Sequence, residues 1–222
     1  MTHFPFQAVG FDLDGTLLDT HHDLGAAVNH ALQLGGFQLV PVEEVEGLIG
    51  GGAKLMLARA LEQQGGVPDD EFRRLYKALL AFYGLNNAVH TRPYPGAVEA
   101  LDTLAERGVR MAVVTNKFES FARDILATLG LADRFAAIIG GDTLGTHRAK
   151  PAPDPVLAAM EACGGGRFAF VGDSSYDVMA AQAAGVPVIA AGYGYCDKPA
   201  EELGADLVIR CFDELIPALE RL

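Results

Sequence analysis

The sequence predicts an α/β protein: a doubly wound, Rossmann-like parallel sheet with a small inserted α-helical cap domain. Three observations predict it. Short apolar runs end repeatedly in small or polar residues. Helical stretches alternate with those runs. The alternation breaks once, over residues 19–92, where only helical spacing is found.

Taken in order, the first run is Ala8-Val9-Gly10-Phe11, leading into Asp12. Met111-Ala112-Val113-Val114 leads into Thr115, and Ala137-Ile138-Ile139 into Gly140-Gly141-Asp142. Phe168-Ala169-Phe170-Val171 leads into Gly172-Asp173, and Val186–Ile189 and Asp206–Ile209 repeat the design. Uninterrupted apolar runs fit strands buried on both faces, as in a parallel sheet. Between them, Gly96–Arg107, Phe118–Leu129, Pro153–Cys163 and Ser174–Ala184 read as helices, each followed by glycine at the place of a C-terminal cap. In the interruption, Leu24, Ala27, Val28, Ala31 and Leu32 share one helical face, as do Phe72, Leu75, Tyr76, Leu79, Phe82 and Tyr83. A further helix is expected from Gly52 through Leu55, Ala58 and Leu61. The expected division is a catalytic core of residues 1–18 and 93–222 and a helical cap of residues 19–92, with no strand inside the cap and no internal repeat.

Composition bounds the function. With 17 Lys and Arg against 29 Asp and Glu, the formal charge is −12, so the chain has no cation excess to displace counterions from a nucleic-acid backbone. Cys163, Cys196 and Cys211 form no CxxC pair, which argues against a zinc site or a disulfide framework. MTHFPFQ has no basic leader pattern, and no run approaches the length of a membrane helix. A cytoplasmic monomer or homodimer without membrane or nucleic-acid partners is expected.

Ligands of open α/β sheets bind beyond the carboxyl ends of the strands. The polar residues there are Asp12 and Asp14, Thr115 and Asn116, and Asp173 and Asp177, with Lys150 on a nearby loop. Asp12 and Asp14 are two apart, so an extended backbone turns both to one side. Converging carboxylates repel; at about 4 Å and an effective dielectric near 20 one pair costs about 4 kcal/mol. Hard oxygen donors without His or Cys favour Mg²⁺ as the neutralising cation. Lys150 supplies a second positive charge, and together they convert an acidic crevice into an anion site.

These residues carry a resemblance. Asp12-Leu13-Asp14-Gly15-Thr16 resembles the DxDGT signature of haloacid-dehalogenase-like phosphohydrolases, and Val113-Val114-Thr115-Asn116-Lys117 resembles their second motif. Lys150-Pro151-Ala152-Pro153-Asp154-Pro155 and Gly172-Asp173-Ser174-Ser175-Tyr176-Asp177 are similar to the third and fourth. The insert resembles the helical cap of one large subgroup. Leu17-Leu18-Asp19-Thr20, Gly50-Gly51-Gly52-Ala53, Thr115-Asn116-Lys117 and Tyr193-Gly194-Tyr195 resemble bacterial phosphoglycolate phosphatases in particular.

The resemblance implies Asp12 as nucleophile, forming an aspartyl-phosphate, and Asp14 as general acid and then base. It implies Mg²⁺ held by Asp12, the Asp14 carbonyl and Asp173, with Asp177 supporting directly or through water. Thr115 and the amides after it, including Asn116, would hold phosphoryl oxygens, and Gly15 belongs to the same phosphate-binding turn. Lys150 would offset the charge of nucleophile and phosphoryl group. Gly51, Gly52 and Lys54 are the cap's candidate substrate contacts, although such phosphatases often carry Asn at the position of Gly51.

Plainer readings stand beside these. Gly50-Gly51-Gly52 also suits a helix-entry turn, Lys54 a solvated lysine, and Asp177 a favourable charge at a helix N-terminus. His21 and His22 either meet substrate or are solvated, and Asp19 and Thr20 are candidate N-caps. The implied activity is hydrolysis of a small phosphorylated metabolite, first 2-phosphoglycolate, with sugar phosphates, muramic acid 6-phosphate and pyrophosphate as rivals. A phosphomutase is the enzymatic alternative. A dehalogenase has no use for Asp14, and a signalling receiver domain lacks both the insert and an acid two residues past its acceptor.

Overall fold

The computed structural model describes residues 4–222; Met1, Thr2 and His3, which fall in the expected core segment 1–18, lie outside the described residues. Among the described residues six strands form one parallel sheet. They are β1 (Ala8–Phe11), β4 (Arg110–Val114), β5 (Ala137–Ile139), β6 (Phe168–Gly172), β7 (Val188–Ala191) and β8 (Leu207–Ile209). Their order is β5-β4-β1-β6-β7-β8. β1 is central, with Ala8 registered against both Arg110 and Phe168. The order reverses beside β1, so a crevice is expected at its carboxyl end.

Alternation along the strands sorts the core into two faces. Ala8, Ala112, Val114, Phe168 and Phe170 pack with α7 (Asp154–Ala162) and α8 (Ser175–Ala183). Val9, Phe11, Met111, Val113 and Val171 face the other way, onto α5 (Ala97–Glu106), α6 (Glu119–Thr128) and α9 (Leu215–Arg221). Both faces are apolar, which is why these strands read as continuous hydrophobic runs. The sequence reading did not anticipate α9: it is short and contains Pro217. β7 also begins later than the run Val186–Ile189 suggests. Pro187 has no N–H to give the ladder, and its carbonyl instead accepts from Phe170 N–H at 2.9 Å.

Residues 20–91 contain α1 (His21–Gly35), α2 (Val42–Val45), α3 (Ala53–Glu62) and α4 (Asp69–Asn86). α1 packs on α4, burying Leu24, Val28 and Leu32 in one cluster with Leu75, Leu79 and Tyr83. That cluster is continuous with the α5 and α6 side of the sheet, so the helical lobe is seated on the core through apolar contact.

The segment expected to lack strands is bounded by two. β2 (Leu18–Asp19) and β3 (Arg92–Pro93) pair antiparallel, Leu18 with Pro93 and Asp19 with Arg92. A two-residue ribbon has no periodicity to betray it. Each linker is fastened separately. The carboxylate of Asp23 in α1 accepts from His90 N–H (3.0 Å), Thr91 N–H (2.9 Å) and Thr91 Oγ1 (2.7 Å). The Tyr195 hydroxyl accepts from the N–H of Thr20 (2.6 Å) and of His21 (3.0 Å) and donates to Asp19 (3.0 Å).

Candidate active site

Asp12 leaves β1 with its N–H donated to Val171 O of β6, so the neighbouring strand fixes its backbone. Asp173 directly follows β6, and Asp177 lies in the first turn of α8. The side-chain oxygens of these three carboxylates can be chosen so that all lie within 4.8 Å of one another, and all three residues are buried. Lys150 is buried among them. Its Nζ is 2.6 Å from Asp177 Oδ1, 2.7 Å from Asp12 Oδ1 and 2.9 Å from Val114 O. One ammonium therefore ties together the ends of β1, β4 and α8. The contact to Asp12 is one of charge, because no donor is aligned on Oδ1 in a hydrogen bond.

One lysine among three carboxylates leaves the cluster anionic. Burial, with Asp177 and Asp14 close by, pushes Asp12 up to about 7 despite Lys150. Burial, Asp177 and Asp12 also hold Asp173 well above the usual carboxylate range. For Lys150 burial opposes the charged form, but Asp12 and Asp177 outweigh it and the ammonium is held more firmly than in water. Oxygen-only donors, an excess of negative charge and an unaligned Asp12 oxygen fit a hard divalent cation.

The supporting contacts divide the acids by role. Asp173 accepts from Thr16 Oγ1 (2.9 Å) and from Tyr195 N–H (2.8 Å), which aims the carboxylate. Gly15 has φ 81°, and a Cβ there would stand 2.3 Å from Asp173 Oδ2; the turn needs glycine. Asp177 forms a capping box with Ser174, whose N–H and Oγ both donate to Oδ2 (3.0 and 2.5 Å), while Oδ1 holds Lys150. Both oxygens of Asp177 already have protein donors.

Asp14 stands apart from the cluster. Its Oδ1 receives Thr20 Oγ1 at 2.7 Å and Lys117 Nζ at 2.9 Å. The main chain around it is set by Gly15 N–H to Leu18 O and Leu18 N–H to Leu13 O, bonds that leave the Asp14 carbonyl free of both. Thr20 does occupy the N-cap position of α1, but its side chain makes no capping bond there. It is turned to Asp14 instead. Asp19 is no cap either; its carboxylate holds His21 Nδ1 (2.5 Å) and the Tyr195 hydroxyl.

Thr115 is buried at the end of β4, and Asn116 gives its side-chain amide to Lys150 O (3.0 Å). The Asn116 side chain therefore steadies the Lys150 loop. A cavity of about 650 Å³ opens in front of these residues. Asp12, Asp14, Thr115, Lys150 and Asp173 line one side, and Gly50–Lys54, Tyr76 and Tyr83 from the helical lobe line the other. Gly50, Gly51 and Gly52 all have positive φ, and Gly52 is the N-cap of α3. The loop is thus a helix entry and a cavity wall at once. Lys54 is exposed at the cavity edge. His21 and His22 do not line the cavity; their rings lie 4.1 Å apart beside the ribbon.

Sequence reasoning gave no role to Lys117 or Tyr83. The signal for Lys117 was present, since it ends the second motif. Nothing in the sequence points from Tyr83 to it.

Carboxylates and a lysine at the switch point of a parallel sheet, faced by a helical lobe, define a capped α/β enzyme suited to an anionic substrate. The chain belongs to the haloacid dehalogenase-like hydrolase family, whose model matches residues 6–185. It is 40% identical over 223 residues to the phosphoglycolate phosphatase of Agrobacterium fabrum, covering 99% of this chain and 95% of that one. It is 41% identical over 218 residues to the phosphoglycolate phosphatase of Rhodospirillum rubrum, covering 94% of this chain and 89% of that one. A crystal structure of a predicted phosphoglycolate phosphatase from Haemophilus somnus superposes with a TM-score of 0.88 at 31% identity, over 96% of this chain and 98% of that one. No helix among the described residues is long and apolar enough to cross a membrane.

Proposed function

We propose that this chain is a Mg²⁺-dependent, cytoplasmic phosphatase that hydrolyses 2-phosphoglycolate through an aspartyl-phosphate on Asp12. One observation carries the chemistry: Lys150 draws Asp12 and Asp177 together at the end of β1, beside Asp173. An Asp12 oxygen attacks phosphorus in line, and the ester oxygen departs with a proton from Asp14. Asp14, then ionised, takes a proton from water as that water attacks the acyl phosphate. Inorganic phosphate leaves and Asp12 is regenerated. Lys150 and the Thr115–Asn116 turn stabilise the charge on the phosphoryl oxygens.

Asp12 and Asp173, with the Asp14 carbonyl, are the residues suited to hold Mg²⁺. When bound it offsets the carboxylate charge and draws electron density from the phosphoryl group. Asp177 supports from behind, since its oxygens are engaged by Lys150 and Ser174. The cap lobe excludes bulk water, with Gly51 and Gly52 as the wall nearest the substrate and Lys54 at its edge. All these groups come from one chain, so a monomer suffices.

The relatives support 2-phosphoglycolate. The cavity volume favours a second reading within the same chemistry. About 650 Å³ falls within the range of drug-sized ligand pockets and exceeds what a two-carbon acid fills, so a sugar phosphate also fits. The test is phosphate release from 2-phosphoglycolate, muramic acid 6-phosphate, hexose phosphates and pyrophosphate, ranked by kcat/KM, with Mg²⁺ and with chelator. The expected result is 2-phosphoglycolate first and no turnover in chelator. A sugar phosphate ranked first overturns the substrate, and full activity without metal overturns the electrostatic reasoning.

A further inference from the structure

A buried charged side chain at the cavity that the mechanism above leaves unused is Lys117. It follows β4. Its Nζ lies 2.9 Å from Asp14 Oδ1 and donates to the Tyr83 hydroxyl at 2.9 Å. Nζ also lies 4.8 Å from the centre of the Tyr83 ring. Burial opposes the charge, but Asp14 and Tyr83 outweigh it, so Lys117 stays an ammonium. Tyr83 belongs to α4 of the helical lobe, and its ring rests edge-on against Phe121 of α6. The lobe thus delivers one hydroxyl to a core lysine that holds the carboxylate assigned as acid and base.

We propose that Lys117 and Tyr83 are positioning residues for Asp14, the Tyr83 hydroxyl holding the Lys117 ammonium against the carboxylate. This rests on the assignment of Asp14 above. Thr20 donates to Oδ1 and the Lys117 ammonium is ion-paired with the same oxygen, while no protein group donates to Oδ2 among the described residues; the carboxylate lines the cavity. A lysine stem has four rotatable bonds and loses substantial entropy when held straight. Tyr83 holds it by one hydrogen bond. With the lobe displaced, Lys117 loses that bond and its stem is free to leave Asp14.

The experiment separates the two half-reactions with p-nitrophenyl phosphate and Mg²⁺ in rapid-quench flow. In the first, the bond from phosphorus to the phenolic oxygen breaks as the Asp12–phosphorus bond forms, and p-nitrophenolate leaves without needing a proton. In the second, water attacks, its proton passes to Asp14, and the Asp12–phosphorus bond breaks. Lys117→Met is expected to release the first equivalent of p-nitrophenolate within about threefold of the parent rate, then to turn over about 10- to 100-fold more slowly, giving a burst. Tyr83→Phe is expected to give the same pattern with about a three- to tenfold slower steady state, the worth of one hydrogen bond. With 2-phosphoglycolate, whose leaving group needs the proton, both half-reactions slow and the burst is absent.

The double variant is expected to be no slower than Lys117→Met alone. Tyr83→Phe removes one oxygen and keeps the ring, so it carries the test if Lys117→Met does not fold. Equal slowing of first turnover and steady state, unchanged rates in Tyr83→Phe, or multiplicative losses in the double variant each overturn the proposal. If the parent protein cleaves none of these esters, it is the phosphatase assignment that fails.

Discussion

Replacing the proposed nucleophile by its neutral isostere, Asp12→Asn, makes the metal-free protein more stable while abolishing turnover. Asp12 faces the Asp177 carboxylate, with oxygens within 4.8 Å, and one ammonium at 2.7 Å. At an effective dielectric near 20, that repulsion is about 3.5 kcal/mol and the attraction about 6 kcal/mol. Burial is the largest influence and, with Asp177 and Asp14, outweighs Lys150, so Asp12 rises from an ordinary 3.8 to about 7. A raised carboxyl pKa in the folded state means that the folded protein binds the proton more tightly than the unfolded chain. Stability from this group is complete below pH 4 and is lost as pH rises through 7. The full loss is about 4 kcal/mol, of which about 3 kcal/mol falls between pH 5 and pH 8.5.

Asparagine cannot ionise and escapes that loss. In chelator, the Tm of Asp12→Asn should exceed that of the parent by a margin that widens by about 6–12 °C between pH 5 and pH 8.5. Adding Mg²⁺ at pH 8.5 should raise the parent Tm and move the variant much less, because binding to the native state alone stabilises it. Thermal unfolding by calorimetry at the two pH values measures both effects. A margin that stays flat or shrinks with pH would refute the account of the cluster.

Asp14→Asn should slow turnover of alkyl phosphates about 10²- to 10⁴-fold, while the first turnover of p-nitrophenyl phosphate stays close to the parent rate. Equal losses in a rapid-quench comparison would remove Asp14 as the acid. Lys150→Met should lower kcat about a hundredfold or more and, in chelator, destabilise the fold by about 3–5 kcal/mol, since it orphans buried carboxylates; denaturant melts check this. Asp23→Ala strips the acceptor from two main-chain N–H groups and the Thr91 hydroxyl. A stability loss of about 1–3 kcal/mol is expected, with proteolysis starting near residues 87–92; an unchanged cleavage pattern would mean that the linker is held by other contacts.

The motif carboxylates were legible because the chemistry recurs at strand ends, and strand ends are visible as the places where apolar runs stop. Asp12, Thr115 and Asp173 follow β1, β4 and β6 as the runs predicted. The same local signal does not name side-chain partners. Thr20 looked like a helix cap, and its hydroxyl is turned to Asp14; the Asn116 side chain, for which the sequence named no partner, goes to the Lys150 carbonyl. A short-range pattern reports which polar groups are available at a position, and hydrogen bonds then go to whichever partner the fold brings near.

The sequence by itself determined the parallel sheet, the helical insert and the set of acids with their lysine. Periodicity and turn residues are local properties, and burial on both faces writes itself into every strand. Only the tertiary structure decided that Lys117 meets Asp14 and Tyr83, that Tyr195 fastens the ribbon and aims Asp173, and that the cavity exceeds a two-carbon acid. Those contacts join residues up to 176 positions apart. They exist only once the lobe is seated on the sheet, because ion pairs and cavities arise from closure in space and leave no period along the chain.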